Sequence, residues 1–391
     1  MSNQYLVEPD LGFIQDVMGL GGDSLKKCFQ CATCSVACKI APENSPFPRK
    51  EMVATSWGLK DRVLPSADIW LCHQCGDCST MCPRGANPGD VLSAARSLAI
   101  REYSVSKKVA DLVNSPKGLW AMIGVPAILF AVLAMITMNA GDTMTRIFHA
   151  IGLEWSHAHG DQLAHANFIS TWFVDLVFVP LAGFVTVAFG LALKRFVTDM
   201  HANAVAEGKT DKADLDLKAY LEAVVAIIPK VLKHDQFNEC GENRERTTSH
   251  LMVLYSFIGL AVVTGIFCVV LYVFGIPGPY SQLNPVKWVG NVSGVALILG
   301  ACLMIKARLE KTDQASSYKD WYLLALVLGL GLTGMVSEMS RLAGSMYVTY
   351  FIYWVHLIFV FNLFAFLPFS KMAHLVYRIS AMAYAEYGNR K

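Results

Sequence analysis

Two runs of cysteine hold the residues most suited to chemistry. The first is Cys28, Cys31, Cys34 and Cys38; the second is Cys72, Cys75, Cys78 and Cys82, followed by Pro83. Each is a triplet at two-residue gaps plus a fourth cysteine three residues on, the pattern that wraps cubane iron–sulfur clusters. Three closely spaced thiolates take three corners of one cube, and the fourth is carried by the chain to the other cube. The spacing therefore assigns Cys28, Cys31, Cys34 and Cys82 to one [4Fe–4S] cluster, and Cys72, Cys75, Cys78 and Cys38 to a second. Zinc is the competing ligand for CxxC pairs, but zinc sites pair cysteines two and two, not as triplets plus one. Covalent haem attachment needs CxxCH, and neither run has a His directly after a CxxC pair. His73, between two ligands of the second run, reads as a solvated residue or one that hydrogen-bonds near the cluster. Cys240, Cys268 and Cys302 read as structural.

Histidine is the second reactive group. His356 falls in a long apolar run, and His374 follows it by 18 residues. On one continuous helix that spacing is five turns, placing both imidazoles on one face about 27 Å apart. An imidazole in hydrocarbon is costly and reads by default as functional, here as an axial ligand to b haem. His250 opens another apolar run at the depth of His374, so His250 and His374 form the candidate inner haem pair. His356 is the candidate ligand of a second, outer haem, with His165 as its proposed partner among His149, His157, His159 and His165; the alternative is a hydrogen-bonded core histidine or one that contacts quinone. His201 and His234 read as surface residues. Asp175, Lys287 and His356 are the quinone-site candidates. Glu338 and Arg341, three residues apart, either pair with each other or leave Arg341 to hold a haem propionate.

These residues need two kinds of scaffold. Of 391 residues, 54% are hydrophobic and only 16% charged, with a mean hydropathy of +0.40. Soluble domains run near one quarter charged, so a plain soluble enzyme, a disordered chain and a nucleic-acid binder are excluded. The net charge of +2 offers no field for phosphate. Residues 1–115 are polar enough for a soluble 2[4Fe–4S] domain, closing with a helical stretch from Asp90 to Asn114. Residues 116–391 hold six apolar runs, 119–138, 168–193, 251–274, 286–305, 321–338 and 347–369, each near the ~20 residues that cross a bilayer. The expected fold is mainly α: a ferredoxin-like domain, then a six-helix transmembrane cytochrome b domain. Between the second and third runs, Leu215–Leu232 is apolar on one face and too short to span. It lies on the membrane, docks a partner, or packs on the soluble domain.

Lys and Arg set the expected orientation. Lys107, Lys108, Lys117, Lys194, Arg195, Lys230, Lys233, Arg244, Arg246, Lys306, Arg308, Lys311, Lys319, Lys371 and Arg378 all fall on one side of the six spans. The other side holds Arg146, Lys287 and Arg341. The cysteine domain and both termini are thus expected in the cytoplasm, on the inner membrane. The N-terminus has no basic stretch ahead of an apolar core, so no signal peptide is expected. A reducing compartment also favours metal over disulfides for clustered thiols.

The first ~100 residues resemble the iron–sulfur C subunit of heterodisulfide reductases. The stretch HLIFVFNLFAFLPFSKMAHLVYRIS, from His356 to Ser380, resembles the last helix of the cytochrome b subunit of respiratory nitrate reductases, where both histidines ligate haem. Asp175–Ala182 and Asn291–Val295 also resemble that family. The fusion is similar to the membrane subunits of the quinone-modifying oxidoreductases (Qmo) of sulfate reducers. One departure matters: the nitrate-reductase family has a histidine ten residues after the one matching His250, and here that position is Leu260. The resemblance implies menaquinone as the electron donor or acceptor, flavoprotein and iron–sulfur partners like the A and B subunits of that complex (QmoA- and QmoB-like), and adenylylsulfate reductase beyond them. The expected role is an electron-transfer subunit between menaquinol and soluble subunits in sulfate respiration. Two alternatives stand beside it: a fused heterodisulfide reductase relative, although no CCG motif occurs in the chain, and a membrane anchor or redox sensor without quinone chemistry.

Overall fold

The computed structural model describes residues 8–152, 162–234, 246–310 and 315–389. His157, His159, Cys240, Arg244 and Lys311 lie outside them. The protein is 76% helical with no strands among the described residues. A cysteine-rich domain of short helices and loops comes first, and six helices long and apolar enough to cross a membrane follow.

The longer helices are labelled here in chain order: α1 (Pro88–Tyr103), α2 (Leu119–Asn139), α3 (Thr171–Ala206), α4 (Leu217–Lys233), α5 (Arg246–Tyr272), α6 (Pro285–Glu310), α7 (Tyr318–Leu342), α8 (Met346–Ala365) and α9 (His374–Tyr387). Pro88 starts α1, where its missing N–H costs nothing. Val91, Leu92, Ala95, Leu98 and Ala99 are all buried, making α1 the spine of the cysteine domain. In the membrane part, α5 packs on α6, α6 on α7 and α7 on α8, while α2 and α3 lie against α8. Outward faces carry exposed large apolar side chains, such as Trp120, Leu176 and Val273, as lipid contact requires.

Two helices depart from the sequence reading. α3 runs on to Ala206, well past the expected end of its span. Its extension buries Phe196, Met200 and Ala204 in the same core as the cysteine domain. The sixth apolar run does not continue as one helix to His374. α8 ends at Ala365; single turns at Leu367–Phe369 and Lys371–Ala373 follow, and His374 begins α9. Pro368 has no N–H to give and its ring clashes with the carbonyl four residues back, so a helix cannot run through it unperturbed. The five-turn, one-face relation between His356 and His374 is therefore corrected: they sit on different helices. A further short helix, Gly141–Ala150, follows α2.

The segment around Leu215–Leu232 forms α4, and its packing partner is α9. The Tyr220 hydroxyl donates to the Ser380 carbonyl at 3.3 Å, and Lys230 pairs with Glu386 at 2.7 Å. The α4 face opposite this contact exposes Leu217, Leu221, Val225 and Ile228.

The cysteine domain is fastened to the membrane helices by an aromatic cluster. Trp70 stacks on Tyr377 of α9 with centroids 5.1 Å apart, and Phe196 of α3 meets Trp70, Tyr103 and Tyr377 edge-on. Arg195 of α3 donates to the carbonyls of Tyr103 and Ser104, capping the end of α1. Trp70 is 1% exposed, and truncating so buried an indole costs about 3–5 kcal/mol. Trp70→Ala is expected to lower the thermal midpoint and to speed hydrogen exchange in 69–103 while leaving α5–α8 protected. Unchanged exchange in that segment would show that the cluster does not fasten the domain.

Candidate redox centres

The two cysteine loops share a backbone shape. Gln30 and Ala32 in the first run, and Gln74 and Gly76 in the second, take positive φ at equivalent positions. Non-glycine residues rarely adopt that region, so its recurrence marks a required wrap. Successive N–H groups in such a turn form the concavity that iron–sulfur groups occupy. The helices that hold Cys34 (Thr33–Ala37) and Cys78 (Asp77–Thr80) pack on each other.

Cys38 crosses to the second run. Together with Cys72, Cys75 and Cys78 it rims a space of about 330 Å³. Burial, reinforced by the Cys72 and Cys75 thiolates, pushes the Cys38 thiol up to about 12. Burial and the charges of Cys72 and Cys75 raise Cys78 as well. In the first run, burial and then Cys28 push Cys34 up to about 11. Thiolates crowded like this repel unless a cationic group sits among them, which is what iron supplies. The Gln74 N–H donates to Cys72 Sγ and the Ala86 N–H to Cys82 Sγ, both at 3.3 Å. Such bonds tune a cluster's potential. Among the described residues, no three His, Cys, Asp or Glu side chains close on a single ion. The residues fit a multi-iron group in the second set, and the repeated loop extends that fit to Cys28, Cys31 and Cys34. Cys31 is exposed, and the Thr33 hydroxyl beside it lowers its pKa.

His250 and His374 are brought together, with ring centroids 6.4 Å apart and planes at 82°. Two imidazoles flanking one metal, with bonds of about 2.0 Å and ring centres about 1.1 Å behind the nitrogens, would stand about 6 Å apart. Hydrogen bonds fix their tautomers. A carbonyl oxygen only accepts, so His374 Nδ1 donates to the Lys371 carbonyl at 2.7 Å, leaving Nε2 with its lone pair. His234 Nδ1 likewise donates to the Val231 carbonyl at 2.7 Å. Neutral His234 must then accept at Nε2 from His250 Nδ1, 2.8 Å away, which leaves His250 Nε2 unprotonated. This is how ligating histidines are oriented. Burial pulls His374 down to about 4 and lowers His234, so both are neutral at pH 7.

Two cavities adjoin this pair, each lined by both His250 and His374. The larger also reaches Cys72, and is ringed by Arg96, Arg246, Arg308, Lys371 and Arg378, with Asp320 as the carboxylate among them. Asp320 is held by Lys371 and lies 3.4 Å from Arg308. Two unprotonated imidazole nitrogens beside surplus cations suit a metal-centred ligand that carries carboxylates, as b haem does.

The remaining sequence candidates gather at the far end of the bundle. His165 and His356 are neighbours whose charges would repel. His165 Nε2 meets Ser337 Oγ at 2.8 Å, and its ring lies against Tyr353. Burial, and then Arg341, pull His165 down to about 4. Thr333 gives its hydroxyl proton to the Gly329 carbonyl at 2.6 Å and so accepts from His356 Nδ1 at 2.9 Å. The Nε2 of His356 is again unprotonated. A side chain at Gly334 would come within 3.2 Å of the His356 ring. Arg341 pairs with Glu338 at 3.0 Å, one of the two arrangements expected of it, and Lys287 pairs with the same carboxylate at 2.5 Å. Asp175 accepts from the Tyr272 hydroxyl.

Other placements differ from the sequence reading. His234 and His201 are buried, at 8% and 5% exposure, rather than on the surface; His201 Nδ1 meets the Tyr384 hydroxyl at 2.9 Å. Cys268 and Cys302 are exposed on outer helix faces. His73 Nε2 accepts from Arg378 at 2.6 Å. Sequence reasoning missed His234 and Arg378. Arg378 lies one turn after His374, a legible signal; His234 reaches His250 across a loop, and no spacing rule announces it.

Comparison with known proteins agrees with the N-terminal geometry. Residues 24–86 match the family of 4Fe-4S dicluster domains. The chain is 33% identical over 93 residues to the C subunit of the H(2):CoB-CoM heterodisulfide,ferredoxin reductase from Methanothermobacter marburgensis, covering 24% of this chain and 50% of the relative. It is 33% identical over 97 residues to a protein from Archaeoglobus profundus that is itself like the C subunit of heterodisulfide reductase (25% and 52%). It is 36% identical over 84 residues to the iron-sulfur C subunit of the CoB--CoM heterodisulfide reductase of Methanopyrus kandleri (22% and 44%). The chain spans about half the length of these curated relatives. No solved structure matches it. The N-terminal part is a 4Fe-4S domain like that of the heterodisulfide reductase C subunits, and the chain is related to iron–sulfur electron-transfer subunits of redox complexes.

Cys38→Ser is expected to damage the cluster of the second run, and Cys82→Ser that of the first, read as iron content and as separate electron paramagnetic resonance signals. Loss of the opposite cluster in either variant would overturn the crossed assignment.

Proposed function

We propose that the chain is the membrane electron-transfer subunit of a quinone-linked oxidoreductase complex. It would pass electrons between menaquinol in the bilayer and soluble flavoprotein and iron–sulfur subunits. Residues 1–115 would carry two [4Fe–4S] clusters and residues 116–391 the b haem. The observation that carries this reading is one cavity lined both by Cys72 and by the His250–His374 pair. A cysteine ligand of one redox group and two imidazoles with unprotonated Nε2 atoms thus share a wall.

Bound haem and clusters would supply one-electron chemistry. The chain's residues do the rest. His234 and the Lys371 carbonyl present His250 Nε2 and His374 Nε2. Arg246, Arg308, Lys371 and Arg378 supply charge for propionates, the role the sequence reading gave to Arg341. At the far end, His356 with His165 would take a second haem or a quinone headgroup, and Asp175 and the Lys287–Glu338 pair are the groups there able to hold or release a quinol proton. The excess of Lys and Arg at the cysteine-domain end supports a cytoplasmic placement of that domain in an inner membrane. The A and B subunits of the Qmo type, adenylylsulfate reductase and sulfate respiration are the partners and pathway that the fusion order suggests.

The test is a visible spectrum of the purified full chain. Dithionite is expected to raise the α band of a six-coordinate b haem, and a menaquinol analogue to raise it under anaerobic conditions. His374→Ala should remove the inner haem and leave cluster iron in place. Broad iron–sulfur absorbance with no α band would leave an iron–sulfur anchor instead, and no response to the quinol analogue would remove the quinone step.

A further inference from the structure

We propose that His73 and Arg378 are the electrical contact between the second cysteine set and the His250–His374 pair. The inference rests on the haem reading above and deepens it by naming the residues that close the gap.

His73 follows Cys72 directly, and it lines three spaces: the one rimmed by the second cysteine set and both cavities adjoining the histidine pair. Arg378 comes from the opposite side. It stands one turn after His374 on α9, so the two share a helix face. Its guanidinium donates to His73 Nε2 at 2.6 Å, and reaches the carbonyls of Leu71 at 3.3 Å and Cys72 at 3.5 Å. A route from the cluster therefore runs along the main chain from Cys72 into the His73 ring, through the 2.6 Å hydrogen bond into Arg378, and along one helical turn to His374. Arg96 also touches the Cys72 carbonyl, at 3.1 Å. It belongs to the cysteine domain and lines the larger cavity but not the smaller one, so it holds the Cys72 loop and, among the described residues, makes no hydrogen bond to His73.

Each crossing is a single electron. With both groups bound, the electron lost by one would be the electron gained by the other, while His73 and Arg378 neither gain nor lose a proton and no bond breaks. Arg378 remains a cation in both states, so it favours the extra electron on either side without titrating.

The experiment uses the full-length protein in detergent. Dithionite is added to oxidised protein, and the haem α band is followed by stopped flow, with cluster signals read by paramagnetic resonance. Cys38→Ser, which removes the second cluster, sets the rate of haem reduction without the wire. His73→Leu and Arg378→Met are expected to slow haem reduction at least about tenfold, toward the Cys38→Ser rate, with cluster signals and the oxidised haem spectrum unchanged. Arg378→Lys, which keeps the charge, should recover part of the rate. His73→Leu leaves the net charge unaltered, and it carries the test if Arg378→Met does not fold, with the cluster and haem potentials read by redox titration to separate a slower route from a changed driving force. Wild-type rates in both variants would overturn the proposal. So would a wild-type rate in Cys38→Ser, or loss of the cluster signals in both variants. Absence of any α band in the wild type would instead refute the haem reading.

Discussion

The arrangement depends on how firmly α9 is registered against the loop that carries Cys72. Trp70 lies on Tyr377, and Arg378, the next residue along, ties the Leu71 and Cys72 carbonyls. Stacking and hydrogen bonding act at adjacent positions on both segments of chain. A slip of α9 by one residue would turn Tyr377 and Arg378 about 100° away together. His374, one turn earlier, would move with them. The same few residues thus fix the domain's seat and the distance between Cys72 and the His250–His374 pair.

Burial is turned to use at the histidines. An imidazole out of water loses its proton, and a neutral ring has one nitrogen that donates and one that accepts. Carbonyls at Lys371 and Val231 take the donor of His374 and of His234, and His234 takes the donor of His250. The outcome is two unprotonated Nε2 atoms beside shared cavities. Thr333 does the same for His356 through a hydroxyl whose own proton is committed to Gly329. The chain reaches one ligand chemistry at both ends of the bundle by different acceptors. At a turn or a helix end the carbonyl that accepts the histidine's backbone N–H accepts its ring N–H as well, and a side-chain hydroxyl serves within a helix.

Pro368 sets where the last span breaks. By ending that span, it opens the turns at 367–373, where the Lys371 carbonyl accepts both the backbone N–H and the Nδ1–H of His374. The same break sends α9 off as a separate helix to meet α4, the α3 extension and the cysteine domain.

Much was legible from residue types and periodicity. The two cysteine runs, the mainly helical build and the six apolar runs all follow from spacing and hydropathy. These are local signals: ligand gaps, a 3.6-residue period and a length set by bilayer thickness. What only the tertiary structure decided were contacts between distant segments. His234 on His250, Arg378 on His73, Lys287 on Glu338 and the seat of α4 on α9 join residues whose separations obey no period. They are set by how helices pack once hydrocarbon and the buried aromatic cluster have fixed their positions, and that packing is a property of the whole chain rather than of any stretch of it.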